Sequence, residues 1–514
     1  MEIFLIAVAC LSVIVTFKLL QKIHKYYSWR QKINEIPGPS ARFPVIGMSW
    51  EIIKVNQEDR LRWFHKLATR YKNGVFRIWI GTDPVIHLNT PEYAEIMLRS
   101  TKHIDKSMIY EYMEPWLGKG LLTSSGEKWF HDRKLITPTF HFGILEDFAE
   151  VMVEKAGILN KRLREQVQLH GSKPFDVFTM TGKCALDIIC ETAMGVNVDA
   201  QSEVENEYSQ AVERISTDAV DRMMRPWLKL DWIYYHTEMG KQYKAAIETT
   251  HRKCTHVIEQ KQAERQRRSK IVDATEDADQ EIRKKTRRAF LDLLLEASEN
   301  TVKPLTIEEI REQVNTFMFA GHDTTGALLS WALFCIGNDE KVQNSIHQEL
   351  DEVFGDSNEP VTTKQVQQLK YLERVIKEVL RLFPSATTVS RSLSEDLQIG
   401  PYTAPPGCTL ALQIYNIHRD PNHWLNPEQF DPDRFLPENS RGRHPYSWIP
   451  FSGGLRNCIG QKFALLEAKI VLAEILRKWR VKSRENHDNI KLYNDIILRP
   501  HEGIFMNFYP RSLT

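Results

Sequence analysis

The 514-residue chain has little cysteine: Cys10, Cys184, Cys190, Cys254, Cys335, Cys408 and Cys458, with no Cys-x-x-Cys pair among them. This spacing excludes zinc ribbons, iron–sulfur clusters and thioredoxin-type chemistry. It is also too sparse for a disulfide scaffold, which points to a reducing compartment. Net charge is nearly missing too, 68 Lys and Arg against 67 Asp and Glu leaving +1. No global field draws the chain to nucleic acid, so any cationic function must be local. Asn-x-Ser/Thr sequons are absent, in keeping with a cytosolic face. Hydrophobic residues at 42% and charged residues at 26% match a globular protein with a large core. Length alone, at about 150 residues per domain, suggests three domains.

One long apolar run exists. Ile3 to Phe17 reads IFLIAVACLSVIVTF, only Glu2 precedes it, and Lys18, Lys22, Lys25, Arg30 and Lys32 follow. Basic residues after the run are expected to keep the following chain cytosolic, and no Ala-x-Ala site follows Phe17 to mark a cleaved leader. Residues 1–20 are therefore expected to be a single-pass membrane anchor, long enough for a bilayer of about 30 Å. Residues 21–39 read as a basic linker ending in a stiff Ile36-Pro37-Gly38-Pro39 hinge, and 40–514 as one catalytic unit in place of three domains.

Beyond the hinge, Val75–Ile80 and Val85–Leu88 read as short strands. Apolar residues at three- and four-residue steps predict helices over Gly143–Arg164, Asp187–Met194, Ile307–Phe334, Val366–Leu382 and Gln461–Trp479. Glu264–Arg288 is dense in charge without an apolar face and reads as a solvated connector. The fold class expected is mainly α with small β-sheets (α+β).

The most informative stretch is Phe451-Ser-Gly-Gly-Leu-Arg-Asn-Cys-Ile-Gly460, at the start of a helical run. A thiol at a helix start, between glycines, is placed where backbone N–H groups favour thiolate. Gly454 and Gly460 let the chain turn and approach a flat ligand, and Arg456 supplies a fork for a carboxylate. Haem offers an iron that accepts thiolate and propionates that need cations.

This pattern, F-x-x-G-x-R-x-C-x-G, resembles the haem-binding loop of the cytochromes P450, and the likeness runs from the hinge to Arg499. The resemblance implies a P450 fold with haem b between a distal oxygen-activating helix and the proximal loop. Cys458 would be the axial ligand of the haem iron, and Phe451, Gly454 and Arg456 would belong to the cofactor site. Trp129 and Arg133 match the family's W-x-x-x-R element, and Arg391 matches another arginine that binds a haem propionate. Glu378 and Arg381 match its E-x-x-R pair and Arg434 the arginine that joins them, a buried cluster implied to hold the proximal core.

In Phe317-Met-Phe-Ala-Gly-His-Asp-Thr-Thr-Gly326 an acid and two hydroxyls interrupt an apolar helix, and Gly321 and Gly326 are expected to soften it. The segment is similar to the family's A-G-x-D-T-T groove. It implies catalytic roles for Thr324, holding an ordered water beside the oxygen being protonated, and for Asp323, relaying protons from solvent.

Segments such as Glu114–Gly118, Leu135–Phe142 and Cys184–Met194 look like family 4, especially its insect and vertebrate-eye-type members. That branch implies oxidation of fatty acids, terpenoids or hormones, or xenobiotics. Many of its members carry a Glu that forms an ester to haem; here Ala320 stands at that position, so non-covalent haem is expected. Gly453 and Leu455 replace the branch's commoner Ala and Pro. By matching regions, substrate is expected to meet His103–Leu122, Arg222–Trp232, Phe317–Thr325, Pro384–Thr388 and the turn at His501–Phe505. Met223, Met224, Trp227, Leu228 and Trp232 would form an entrance that dips into lipid.

Other classes compete. His418-Arg-Asp420 is similar to a kinase catalytic loop, but Leu425 stands where the metal-binding Asn is needed and no Asp-Phe-Gly exists. A haem-thiolate isomerase or dehydratase, or a membrane haem sensor, would have no use for Asp323-Thr324. No flavin or nicotinamide motif is present, so electrons from NADPH are expected indirectly, through NADPH-cytochrome P450 reductase with cytochrome b5 as a second donor. Lys128, Lys134, Arg441, Arg443 and Lys462 are the expected docking cations. Localisation is expected at the endoplasmic reticulum membrane, with the catalytic domain cytosolic.

Overall fold

The computed structural model describes residues 1–43, 45–140, 142–274, 289–300, 304–357 and 359–511. Its axis is the Ile307–Asn338 helix, apolar around most of its circumference and buried almost throughout, as a helix enclosed by others must be. A capping box starts it: Thr306 Oγ1 accepts from the Glu309 N–H at 3.1 Å while Glu309 Oε2 accepts from the Thr306 N–H at 2.9 Å. The Phe178–Ile189 helix lies against it, and the Phe142–His170, Lys370–Leu382 and Gln461–Leu476 helices complete the helical body.

A four-stranded sheet stands beside this body. Strands Val75–Ile80 and Asp83–Leu88 pair antiparallel, the second pairs parallel with Thr409–Gln413, and that strand pairs antiparallel with Thr388–Ser392. A three-stranded sheet joins Phe175–Asp176, Phe505–Pro510 and Trp479–Ser483. Two hairpins remain, Leu397–Ile399 with Tyr402–Ala404, and Leu492–Asn494 with Leu498–Pro500. The expected mainly α architecture with small sheets, including both predicted strands, is observed.

Several elements differ from expectation. The apolar run and the basic segment after it form one helix, Glu2–Asn34, long and apolar enough to cross a membrane. Residues 21–34, read as a linker, are thus helical. The end of this helix is fastened to the sheet: Trp29 Nε1 donates to Pro406 O at 2.9 Å, Trp79 Nε1 to Asn34 Oδ1 at 3.2 Å, and the Arg30 guanidinium lies 4.8 Å from the Trp79 ring centroid. The Pro37–Pro39 segment is fastened as well, Arg77 N–H donating to Pro37 O at 2.8 Å.

The helix expected over Asp187–Met194 is the end of Phe178–Ile189 plus a wider turn, Cys190–Met194, and Trp479 opens a strand, three residues after its helix has ended at Leu476. Glu264–Ala274, read as connector, is the last part of a helix that starts at Glu238. Several charges of this helix are partnered: Arg265 with Glu299 at 3.0 Å, Arg268 with Glu264 and, just before the segment, Lys261 with Asp292 at 3.2 Å. Ion pairs at helical spacing and with the Phe290–Asn300 helix replace the missing apolar face. Residues 275–288 of that connector lie outside the described residues.

Candidate active site

The proximal loop is shaped by its backbone. Ser452 and Gly454 have φ of 58° and 65°, and a Cβ on Gly454 would sit 1.9 Å from Leu98 O. Only glycine fits there. The Cys458 N–H donates to Phe451 O at 2.9 Å, closing the loop, and Trp448 Nε1 donates to Lys377 O at 3.1 Å, fixing it to the Lys370–Leu382 helix. Gly460 caps the helix that follows.

Cys458 differs from the other cysteines of the catalytic unit, all of which are buried; it is reachable by solvent. Protein nevertheless surrounds it closely, and burial raises its thiol pKa. The Gly460 N–H and the Arg133 charge act in the opposite direction, as a helix start predicts, without outweighing burial. A metal would settle this balance, because a coordinating thiol gives up its proton.

Cations gather beside the loop. Arg456 Nε donates to Ile104 O at 3.1 Å and Nη2 to Ser124 O at 2.6 Å, the guanidinium lies 4.1 Å from the Trp129 ring centroid, and Nη1 is buried with no acceptor. Burial, and then the Arg391 charge, push the Arg456 pKa down to about 9. Arg391 is buried with one nitrogen on Ser390 O at 2.8 Å. Lys106, which sequence reasoning did not single out, lies 4.0 Å from the Tyr110 ring centroid and is pushed down by burial, Arg391 and Arg456. Arg133 is committed to Asn457, at 2.8 Å to its carbonyl and 2.7 Å to its side-chain oxygen. Asp105 and Tyr110 ease Arg456, and with Arg391, Arg133 and Lys106 around it the cluster holds more positive than negative charge among the described residues. Buried cations that repel one another and an orphaned guanidinium N–H are what a ligand with two carboxylates would satisfy. With a reachable thiol nearby, the donor set fits haem.

Behind the loop, Glu378 and Arg381 are fully buried. Arg381 donates to Glu378 at 2.7 and 2.8 Å and to the carbonyls of His418, Pro427 and Gln429, while Arg434 Nε reaches Glu378 Oε1 at 3.2 Å. His418, of the kinase-like triplet, is a fully buried structural link whose Nε2 accepts from the Ile449 N–H at 2.8 Å.

On the central helix, Thr324 Oγ1 donates to Ala320 O at 2.6 Å, and Ser385 Oγ donates to Thr324 O at 2.9 Å. Asp323 is nearly buried and accepts from one nitrogen of Arg499 at 2.6 and 2.7 Å. Burial raises its pKa; Arg499 opposes this. The Arg499 and Ser385 contacts were not foreseen. The strand just before the His501–Phe505 turn reaches the central helix, Leu498 O accepting from Trp331 Nε1 at 3.1 Å. Nor do the glycines soften the helix, which is continuous. Added Cβ atoms would lie 2.5 Å from Ile189 at Gly321 and 2.8 Å from Gly182 at Gly326, so both let the Phe178–Ile189 helix approach.

Among the residues expected at the entrance, Trp227 and Trp232 are exposed, whereas Met224 and Leu228 are buried; the neighbouring Leu230 is exposed as well. Arg222 is a clamp, its guanidinium 4.0 Å from the Tyr234 ring centroid and bonded to Leu228 O and Asp231. Of the cations expected to serve in docking, Lys134, Arg441 and Lys462 are exposed. Lys128 is paired with Asp132 at 3.1 Å, and Arg443 lies 4.2 Å from the Trp424 ring centroid.

A family model described as Cytochrome P450 matches residues 37–508. The chain is 41% identical to human Cytochrome P450 4V2 over 504 residues, 97% of this chain and 94% of the relative. It is 42% identical to Drosophila melanogaster Cytochrome P450 4c3 over 519 residues, 99% and 94%. Among solved structures, the haem domain of cytochrome P450DA superposes with a TM-score of 0.77 at 24% identity, covering 93% of this chain and 98% of that one, which supports the fold. The chain therefore belongs to the cytochrome P450 family, with relatives in family 4, and is a haem-dependent P450 monooxygenase.

Proposed function

We propose that the protein inserts one atom of O2 into a hydrophobic substrate, a fatty acid, a terpenoid or hormone, or a xenobiotic. Electrons would come from NADPH through a membrane-bound flavoprotein reductase, with cytochrome b5 as a second donor. The observation that carries this reading is the reachable Cys458 thiol beside a surplus of buried cations, in a chain that also carries Asp323 and Thr324 on its central helix.

Cys458 would hold the iron of bound haem, which would supply the redox chemistry of dioxygen. Arg456, Arg391 and Lys106 would hold the propionates, Trp129 would back the Arg456 guanidinium, and Phe451 and Gly454 would shape the loop. Arg133 would position Asn457 and place positive charge near the sulfur. Glu378, Arg381 and Arg434 would keep the loop's supports in register. Thr324 would present a hydroxyl to an ordered water, and Asp323 would move protons to it. Because Asp323 is buried and paired with Arg499, that transfer requires the pair to loosen. Ala320 offers no carboxyl, so haem would be held without an ester. The protein would be anchored by a single pass in the endoplasmic reticulum membrane with its catalytic body cytosolic, a reading supported by a Glu2–Asn34 helix long and apolar enough to cross a membrane and by the basic residues that follow its apolar run.

The test is a reduced carbon-monoxide difference spectrum for haem-thiolate ligation, followed by spin-shift screening of fatty acids, terpenoids and xenobiotics. A protein with no thiolate signature in wild type, or one unchanged in Cys458→Ser, overturns the reading.

A further inference from the structure

Arg499 is the cation that faces Asp323, yet it bonds both carboxylate oxygens through a single nitrogen, and its Nε is buried with no acceptor. Its strand pairs with Leu492–Asn494, Arg499 lying opposite Tyr493 and Leu498 opposite Asn494. The next residue, Asp495, stands at the tip of the same hairpin, 9% exposed, its Oδ2 accepting from Thr217 Oγ1 of the Glu207–Met223 helix at 2.8 Å.

We propose that the Arg499 guanidinium is shared between two buried carboxyls, Asp323 and Asp495, and that Asp495 thereby acts as a positioning residue for Asp323. The inference rests on the reading of Asp323 as a proton carrier.

Charge accounting supports the sharing. One guanidinium cannot neutralise two buried carboxylates, and it cannot give up its own proton, so one of the acids holds one near neutrality. The surroundings favour Asp495 as that acid. Burial, Asp221 and Glu213 raise it, Thr217 and Arg499 lower it, and the net is an upward shift to about 7. Tyr493 also faces it, and Asp221 is itself held by Arg60 at 2.7 Å and Arg225 at 3.1 Å, so those arginines are not free to serve Asp495. Around Asp323 stand Tyr208 and a His322 that burial keeps neutral, and neither supplies a second cation. With Asp495 protonated, Arg499 stays on Asp323. Once Asp495 ionises it competes for the guanidinium, and Asp323, holding less of that charge, becomes able to take up a proton from solvent and pass it on.

Infrared titration of the full-length holoprotein carrying carbon-13-labelled aspartate, between about pH 5 and 9, tests this without turnover. Wild type should lose one protonated-carboxyl band near neutrality, and Asp495→Asn should lack it. In Asp323→Asn, Arg499 is released to Asp495, so the midpoint should fall by about one pH unit or more. An unmoved midpoint overturns the sharing. Thr217→Val removes the hydrogen bond to Asp495 together with one to Tyr493, and the midpoint should rise; a fall or no change counts against the assignment to Asp495, even if Asp495→Asn does not fold. Positioning is read from hydrogen peroxide released per NADPH, with a microsomal reductase and no organic substrate. Its pH dependence should flatten in Asp495→Asn, and a wild-type profile there overturns the positioning role. The two readings fail separately. If Asp323→Asn moves the Asp495 midpoint but leaves peroxide release unchanged, the proton-carrier reading falls and the sharing stands. If it raises peroxide release with the midpoint unmoved, the sharing falls and the proton carrier stands.

Discussion

Glu378 and Arg381 share two hydrogen bonds, of 2.7 and 2.8 Å, at a point neither side chain exposes to solvent. Removing one partner strands the other as a buried charge, which costs roughly 3–5 kcal/mol. Arg381→Ala and Glu378→Ala should lower Tm and yield protein without a haem-thiolate spectrum. Arg381→Lys should fare little better, because the planar fork also serves the carbonyls of His418, Pro427 and Gln429.

Gly454→Ala forces a Cβ to 1.9 Å from Leu98 O at a φ of 65°. The loop must shift, and the strain alone is about 1 kcal/mol or more. The expected result is loss of haem during gel filtration, whereas Gly453→Ala, with nearest neighbours at 3.3 and 3.4 Å on side chains, should retain it.

Arg456 carries a burial cost and, after it, repulsion from Arg391 in the haem-free protein. A base whose pKa falls on folding to about 9 opposes folding fully below that value. Arg456→Gln should therefore raise the Tm of the haem-free protein at pH 7 and lower haem retention. A mutation without effect on either would remove Arg456 from the cofactor site.

Asp495 sets a stability slope. Its folded pKa, about 7, lies above the ordinary 3.8, so the folded state binds the extra proton and stability falls as pH rises from about 4 to 7. At about 1.4 kcal/mol per pH unit this amounts to several kcal/mol. Urea unfolding at pH 6 and pH 8 should show the decline in wild type and a shallower one in Asp495→Asn.

Ala320 and Thr324 lie one helical turn apart, Thr324 Oγ1 bonding Ala320 O. Haem should be extractable from wild type with acidified organic solvent, and Ala320→Glu should leave part of it on the polypeptide. Thr324→Ala should keep its haem and divert electrons from NADPH into peroxide.

The proximal loop was legible in the sequence because its constraints are local. Gly454, Cys458 and Gly460 shape one turn, and their spacing survives any change of surroundings. The Glu378–Arg381 pair was legible for the same reason, being three residues apart on one helix. Arg499 was not, because its partner Asp323 lies 176 residues away and the contact depends on where a hairpin tip comes to rest. Lys106 sits in irregular chain, where no periodicity marks a half-buried lysine. The charged stretch from Glu264 misled because pairing across to Asp292 and Glu299, invisible in composition, substitutes for an apolar face. Gly321 and Gly326 read as flexible points only while the neighbouring helix is out of sight.

The amino-terminal helix behaves as a strut instead of a rope. Trp29 grips Pro406, Asn34 receives the indole of Trp79, and Pro37 takes the Arg77 N–H, so the helix leaves the sheet at a set angle. Where the apolar run crosses a bilayer, the body inherits its tilt from these few contacts. The same contacts decide whether exposed Trp227, Leu230 and Trp232 reach the lipid or stand clear of it.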